Sequence, residues 1–176
     1  FKKAYLKVQY NHSERAPEVN ELYSGNNHFA ILTEENGDDR LDKETANTIE
    51  IGGGLNLKNL RLSANWYHTH YKNYIYLAHT GLSREVFLVK EWRSDDTEIN
   101  GIEAEAAYKI DLQKLGKWEI GSYYDLVRNI SVADSSIRKW SDGDYMPNMP
   151  TSRFGFSLTG SIRNFSINVG LDHYLK

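Results

Sequence analysis

The stretch Asn100-Gly101-Ile102-Glu103-Ala104-Glu105-Ala106-Ala107-Tyr108-Lys109-Ile110 decides the fold class. Its even-numbered residues from position 102 onward are all uncharged, whereas Glu103, Glu105 and Lys109 fall on odd positions. Successive side chains of a β-strand point to opposite faces, so this spacing gives one uncharged face and one charged face. The stretch therefore predicts a strand with a different environment on each side.

The same alternation continues along the chain in both directions. Six further stretches place apolar residues on one face and polar residues on the other, and none of them has a formal charge on its apolar face. They are Ala4–Tyr10, Thr48–Leu57, Leu60–Trp66, Trp118–Leu126, Phe154–Leu158 and Phe165–Leu171. The sequence thus predicts seven strands, the fourth beginning near Val86 or Thr97 and ending at Ile110.

Composition excludes several classes of protein. The 176 residues are 40% hydrophobic and 26% charged, which favours one folded domain over a disordered chain. Mean hydropathy is -0.62 and no apolar run reaches about 18 residues, which argues against membrane helices but not against membrane strands. The net charge of -3 gives no reason to expect nucleic acid as a partner. The absence of cysteine excludes disulfides and thiolate metal sites.

The connections between the predicted strands alternate between short and long. Short links follow Leu57, Ile110 and Gly160, whereas the segments 11–46, 78–96 and 133–151 are long and polar. This alternation is typical of outer-membrane barrels, and apolar runs of roughly ten residues match tilted membrane strands. We therefore predict an all-β fold, an antiparallel up-and-down transmembrane β-barrel segment. Because seven strands is an odd number, the segment belongs to a larger wall. The alternative is a soluble all-β binding or adhesion module.

Several motifs resemble the C-terminal barrel region of TonB-dependent outer-membrane receptors, and together they extend over most of residues 1–176. They are Arg15-Ala16-Pro17-Glu18-Val19-Asn20-Glu21-Leu22-Tyr23, Leu41–Gly52, Tyr71–Leu77, Asn100–Glu105 and Met146–Arg153. The resemblance implies a barrel of about 22 strands with a plugged lumen in the bacterial outer membrane. Its implied partners are outer-membrane lipid, a metal or small-molecule ligand, and a TonB complex reached through parts not in this sequence. Leu22-Tyr23-Ser24 followed by His28 looks most like the zinc-uptake branch, with siderophore or haem uptake as the alternative.

The first long connection is strongly acidic. Between Ser13 and Glu44 only Arg15, Arg40 and Lys43 are basic. The nine acidic residues are Glu14, Glu18, Glu21, Glu34, Glu35, Asp38, Asp39, Asp42 and Glu44. Such a field concentrates cations, and carboxylates with imidazoles are suitable zinc ligands. The competing interpretation is a solvated loop, repelled from anionic lipopolysaccharide or bridged to it by calcium.

Four histidines form the predicted metal-ligand set. His68 and His70 lie two positions apart on one strand face, about 7 Å from each other. His79 or His28 could supply a third ligand for a tetrahedral zinc site. In this prediction zinc is the transported ion, and no cofactor is required. The alternative is that His68 and His70, which share the parity of Trp66, pack at the lipid headgroup level.

The remaining signals are structural. Charges on the inward parity are predicted to form salt bridges with one another and with the plug. They are Glu50, Arg61, Glu103, Glu105, Lys109, Glu119, Asp125, Arg153 and Asp172. Segment 16–23 is predicted to form one or two helical turns. Gly52-Gly53-Gly54 lacks the Lys-Ser or Lys-Thr of a phosphate loop, and no G-x-S-x-G occurs, so an enzyme is not predicted.

Overall fold

The structure is a computed structural model that describes residues 3–132 and 149–175. A short helix, α1 (Val19–Tyr23), and a 3-10 turn at Gln113–Leu115 accompany nine strands in these ranges. The strands are β1 (Lys3–Arg15), β2 (Gly25–His28), β3 (Thr33–Asn36), β4 (Glu44–Asn56), β5 (Leu60–Arg84), β6 (Phe87–Asp111), β7 (Lys117–Val132), β8 (Arg153–Ile162) and β9 (Phe165–Tyr174). Within the described part of the chain, no helix is long and apolar enough to cross a membrane.

Seven strands form one antiparallel sheet in the order β1-β4-β5-β6-β7-β8-β9, which confirms the predicted all-β fold and the seven predicted strands. The two additional strands, β2 and β3, were not predicted. They form a small hairpin, and β3 also pairs in parallel with Leu88–Glu91 of β6. Among the described strands β1 pairs only with β4 and β9 only with β8, so the sheet does not close on itself.

The pairing register brings the apolar faces of all seven strands onto one side of the sheet. Ala104, for example, stands opposite Ala64 of β5 and Tyr124 of β7. Large apolar side chains on this side remain exposed, with Leu62 at 38% and Leu171 at 67% of their full accessible area. The described strands belong to one sheet, so none forms a second layer over this face. A sandwich core, as the soluble alternative requires, is therefore not present in residues 3–132 and 149–175.

Aromatic side chains lie across glycines of neighbouring strands. A Cβ atom added at Gly101 would overlap the Tyr67 ring, and one at Gly155 would overlap the Tyr123 ring. On the apolar side the Trp118 ring occupies the space above Gly160. The absence of a side chain at these glycines lets large rings lie flat on the sheet.

The predicted connection between Ala78 and Asp96 is wrong. β5 and β6 are each 25 residues long and continue through this segment as a hairpin. Only Glu85 and Val86 form the turn, with Glu85 at a φ of 56°. The helical segment predicted at 16–23 is confirmed in part: α1 covers Val19–Tyr23, whereas residues 16–18 precede the helix and Glu18 is its N-cap. Of the third long connection, residues 133–148, including Pro147 and the first part of the Met146–Arg153 motif, lie outside the described residues.

The buried apolar residues lie mainly in the half of the sheet away from the short turns. In the described ranges, every buried apolar side chain belongs to β5 or β6: Ile75, Tyr76, Ala78, Phe87, Val89 and Ile99. At this end β3 of the β2–β3 hairpin pairs with β6 and so extends the sheet. The Phe29 ring, in the turn of that hairpin, meets the Phe87 ring edge-on at 5.3 Å. The sheet therefore has a small protein core at one end and exposed apolar side chains at the other.

Candidate functional site

The inward face, opposite the apolar one, carries paired charges. The Lys7 ammonium lies 3.1 Å from a Glu50 oxygen, and the Arg153 guanidinium lies 2.6 Å from an Asp125 oxygen. Arg61 and Lys109 approach the two oxygens of Glu119 at 3.8 and 3.6 Å. The prediction that the inward charges pair with one another is confirmed for Arg61, Lys109 and Glu119 and for Asp125 and Arg153, whereas Glu50 pairs with Lys7, which was outside the predicted set. Within residues 3–132 and 149–175, Glu103 and Glu105 on the same face have no ion pair.

An arginine anchors the first long connection to the sheet. Nη1 of Arg15 donates to both carboxylate oxygens of Glu21, at 2.9 and 2.8 Å, and Nη2 donates to Glu44 at 3.2 Å. The same Glu44 oxygen accepts the backbone N–H of Ile75, and Glu21 accepts that of Glu18. Burial opposes the guanidinium charge, yet these carboxylates raise the pKa of Arg15. One side chain thus joins the end of β1, helix α1, β4 and, through Glu44, β5.

About half of the carboxylates of the acidic loop are paired with cations. Five of its nine carboxylates form ion pairs with arginine or lysine: Glu14, Glu21, Glu34, Asp38 and Glu44. Hydrogen bonding to Lys43 lowers the pKa of Glu14, and hydrogen bonding to Arg40 lowers the pKa of Asp38. Arg15, Arg40 and Lys43 belong to the loop's own composition, so among the described residues only Arg84, which comes from β5, weakens the predicted cation-attracting field further.

Three tyrosines of β5 form a ladder on the inward side of the half of the sheet away from the short turns, the outer half. A bulge between Tyr71 and Tyr74 brings their rings to 4.9 Å, and the rings of Tyr74 and Tyr76 are nearly parallel at 6.4 Å. Met149 packs against this cluster, and the Tyr76 hydroxyl donates to Asp95. Burial raises the pKa of Tyr71 and of Tyr74, so both phenols are protonated at neutral pH. Tyr76 is itself buried, so the accessible part of the ladder is formed by the rings and neutral hydroxyl groups of Tyr71 and Tyr74, for which no role is predicted from the sequence.

His68 and His70 lie on the apolar side, each beside a polar partner on β6. Nδ1 of His68 lies 2.8 Å from the Asn100 side-chain oxygen, and its ring is nearly parallel to that of Trp66, with centroids 6.2 Å apart. Nδ1 of His70 lies 3.7 Å from Glu98. These contacts fit the interfacial alternative stated for the two histidines.

His28 and His79 lie on other parts of the sheet. His28 belongs to β2, where its Nε2 is 3.7 Å from Glu35, and His79 is an exposed residue of β5 opposite Lys90. In the part of the chain that the structure describes, no three histidine, cysteine or acidic side chains are placed to hold a metal together. The ligand set His28, His68, His70 and His79 stays a prediction for the longer receptor.

Comparison with known proteins decides the family. Residues 4–174 match the family described as "TonB dependent receptor-like, beta-barrel". The chain belongs to this TonB-dependent receptor family. The solved structure of "Copper transporter OprC" is similar to 95% of the chain, with a TM-score of 0.71 and 19% sequence identity. At that identity the likeness concerns the fold, and the chain spans only 23% of that structure.

Family membership accounts for the open edges and for the two faces of the sheet. A TonB-dependent receptor barrel contains more strands than this chain supplies, so the free edges of β1 and β9 are where further strands can pair. The Tyr71–Leu77 motif is part of the family resemblance, but the bulge that turns it into a ladder is a tertiary feature. Alternation alone could not locate it.

Proposed function

We propose that this chain is part of the barrel wall of an outer-membrane TonB-dependent receptor that imports a scarce metal ion or metal chelate. The observation that carries this proposal is the in-register sheet, exposed and apolar on one side, polar and ion-paired on the other. Lipid tails suit the first face, and a hydrated lumen or plug suits the second. The similarity to a protein named as a copper transporter supports metal as the class of cargo.

In this proposal the outer half of the sheet captures the ligand and the inward face leads it past the plug. Arg15 holds the first long connection in place, and the tyrosine ladder lines the inner side near the mouth. Energy for import comes from the TonB complex, which contacts a part of the receptor outside this sequence. No catalytic step by the chain is proposed.

For the cargo we propose zinc first, with the imidazoles of His28, His68, His70 and His79 as candidate ligands. Because His68 and His70 lie on the apolar face and the four histidines do not meet in the described residues, such a site would have to form above the membrane with residues from the rest of the barrel. Imidazole also suits copper, so copper is tested beside zinc. The second candidate is a metal chelate, such as a siderophore or haem, favoured by the tyrosine ladder. Protonated phenols offer hydrogen bonds, and their rings offer flat contact area to an organic ligand.

Calorimetry on the full-length receptor in detergent separates these cargoes. Zn²⁺, Cu²⁺ and haem are titrated into the native protein, the His68→Ala, His70→Ala double variant and the Tyr71→Leu, Tyr74→Leu double variant. Loss of ion binding in the histidine variant alone supports a free metal ion, and loss of haem binding in the tyrosine variant alone supports a chelate. His173→Ala, far from these groups on β9, is the matched control.

The proposal fails at specific points. If neither ion binds the native receptor, zinc and copper are excluded as cargo. If haem affinity is the same in the tyrosine variant as in the native receptor, the ladder is excluded as part of the chelate site. A receptor that stays soluble and monomeric without detergent would remove the membrane placement altogether.

A further inference from the structure

Each of the three short turns carries one exposed cation. Lys58 lies between β4 and β5, Lys114 between β6 and β7, and Arg163 between β8 and β9. Among the described residues none of these turn cations forms an ion pair. The carboxylate nearest to Lys114 along the chain is that of Asp111, which accepts the backbone N–H of Gln113 at 2.9 Å. The turn cations thus form a row of uncompensated positive charge.

At the opposite end of the sheet several cations are paired. Arg15, Lys43 and Arg84 each lie within 3.2 Å of a carboxylate oxygen, whereas the exposed Lys72 there has no ion pair among the described residues. The turn cations differ in that all three are unpaired and lie side by side along one end of the sheet. A row of free cations is complementary to an anionic surface.

The turn cations lie at the depth of lipid headgroups. Trp118 stands one residue inside the β6–β7 turn, over Gly160, and its indole N–H donates to the Leu115 carbonyl at 2.8 Å. Phe165, at the β8–β9 turn, is 82% exposed. Aromatic rings of this kind mark the boundary between hydrocarbon and headgroups, and the flexible stems of lysine and arginine extend beyond it. Neighbouring turns are two strands apart, about 10 Å, so the charges follow the membrane surface.

We propose that Lys58, Lys114 and Arg163 bind the phosphates of anionic phospholipids in the leaflet that faces the periplasm. Short turns face that side in outer-membrane barrels. This inference rests on the membrane placement in the proposed function. It adds a defined partner, an anionic glycerophospholipid, and a consequence: the receptor gathers such lipids around the inner rim of its barrel.

The test uses the full-length receptor in nanodiscs of mixed phosphatidylcholine and phosphatidylglycerol. Association of spin-labelled forms of each lipid is measured for the native protein and for the Lys58→Gln, Lys114→Gln, Arg163→Gln variant. We expect the native receptor to prefer phosphatidylglycerol by about two- to fivefold at low salt, and the preference to approach one in the variant or at high salt. The charge-conserving variant Lys58→Arg, Lys114→Arg, Arg163→Lys should keep the preference. The control Lys72→Gln removes an exposed lysine from the end of the sheet opposite the short turns, and it should also keep the preference for phosphatidylglycerol.

Four results would overturn the inference or its basis. Equal preference in the native protein and the glutamine variant assigns the lipid contact to other residues, and no preference in either overturns it. If there is no preference but polyglutamate binds the native receptor and not the glutamine variant, the turn cations serve an acidic protein partner instead. If the native receptor does not enter any bilayer, the membrane placement itself has failed, which is distinguishable from a missing lipid preference.

Discussion

The two halves of the sheet are stabilised in different ways. The belt half extends from the short turns to the level of His68 and Asn100, and the outer half comprises the remainder of the β5–β6 hairpin with α1, β2 and β3. In the belt half, apolar side chains stay exposed on one face, and the inward charges pair along the other. In the outer half, Tyr76 and Phe87 are buried within the protein and arginine side chains join separate elements. The comparison teaches that a membrane can replace a protein core, whereas a segment with water on both sides must build one.

The largest expected effect is a charge on the lipid face of the belt half. Ala104→Arg places a cation among Ala64, Tyr124 and lipid, at an expected cost of about 2–4 kcal/mol. Glu103→Arg, at the same depth but inward, should cost less than about 1 kcal/mol because that face is polar. Urea unfolding of the full-length receptor in liposomes measures both free energies. Equal costs would mean that the two faces of the belt half have been assigned wrongly.

In the outer half the corresponding test removes an anchor. Arg15→Ala leaves Glu21, which is 5% exposed, without its cation and should cost the loop about 2 kcal/mol. This figure is below that of a fully buried pair because the Arg15 side chain is 38% exposed. Hydrogen exchange over residues 16–43 reports the loss. Arg40→Ala is the control, since its side chain is 85% exposed and solvent screens its ion pair with Asp38, so its removal should change the exchange little. Similar exchange in both variants would contradict the anchoring role.

A smaller effect is expected where an aromatic ring covers a glycine in the belt half. Gly101→Ala forces the Tyr67 ring away from the sheet and should cost about 1–2 kcal/mol. At Gly170 the nearest atom to an added Cβ is the Phe156 carbonyl oxygen at 3.8 Å, so Gly170→Ala should be nearly neutral. Urea unfolding of the full-length receptor in liposomes distinguishes the two glycine substitutions. If the two substitutions cost the same, the Tyr67 contact does not depend on the glycine.

The smallest effect is a pH dependence confined to the outer half. Lys43 lowers the pKa of Glu14 in the folded protein, so the pair stabilises the base of the loop above the ordinary glutamate range. That contribution is lost as the pH falls through the lowered pKa. The protection factors of amide hydrogen exchange at the ends of β1 and β4 should therefore fall in acid, and Lys43→Met should remove this component. An identical acid response in native protein and variant would exclude the pair as its source.

How far the sequence predicts this fold also differs between the two halves. In the belt half, two different environments impose alternation, so the seven strands and their faces follow from residues such as Glu103 and Ala104. In the outer half water surrounds the hairpin, so segment 78–96 resembles a polar loop, and the turn at Glu85 carries no glycine signal. β2 and β3, four residues each, are too short and too polar to show a period.

The candidate site was less predictable than the strands. The H-x-H spacing places His68 and His70 on one face, but their neighbours Asn100 and Glu98 come from β6, about 30 positions away in sequence. The tyrosine ladder needs the bulge at Asn73, whose φ is 56°, and a positive φ at a residue other than glycine is difficult to anticipate from sequence. Pairing between distant strands, rather than local pattern, decides which side chains meet.

The β5–β6 hairpin is longer than the apolar band of a membrane barrel requires. Each strand has 25 residues, roughly 80 Å of extended chain, whereas the apolar band of a membrane barrel is only about 25 Å tall. In the proposed membrane placement, more than half of the hairpin would extend beyond the apolar band on the side away from the short turns, where β3 pairs with it near its tip. Glu85 and Val86, which form the turn, would then be the part of this hairpin farthest from lipid.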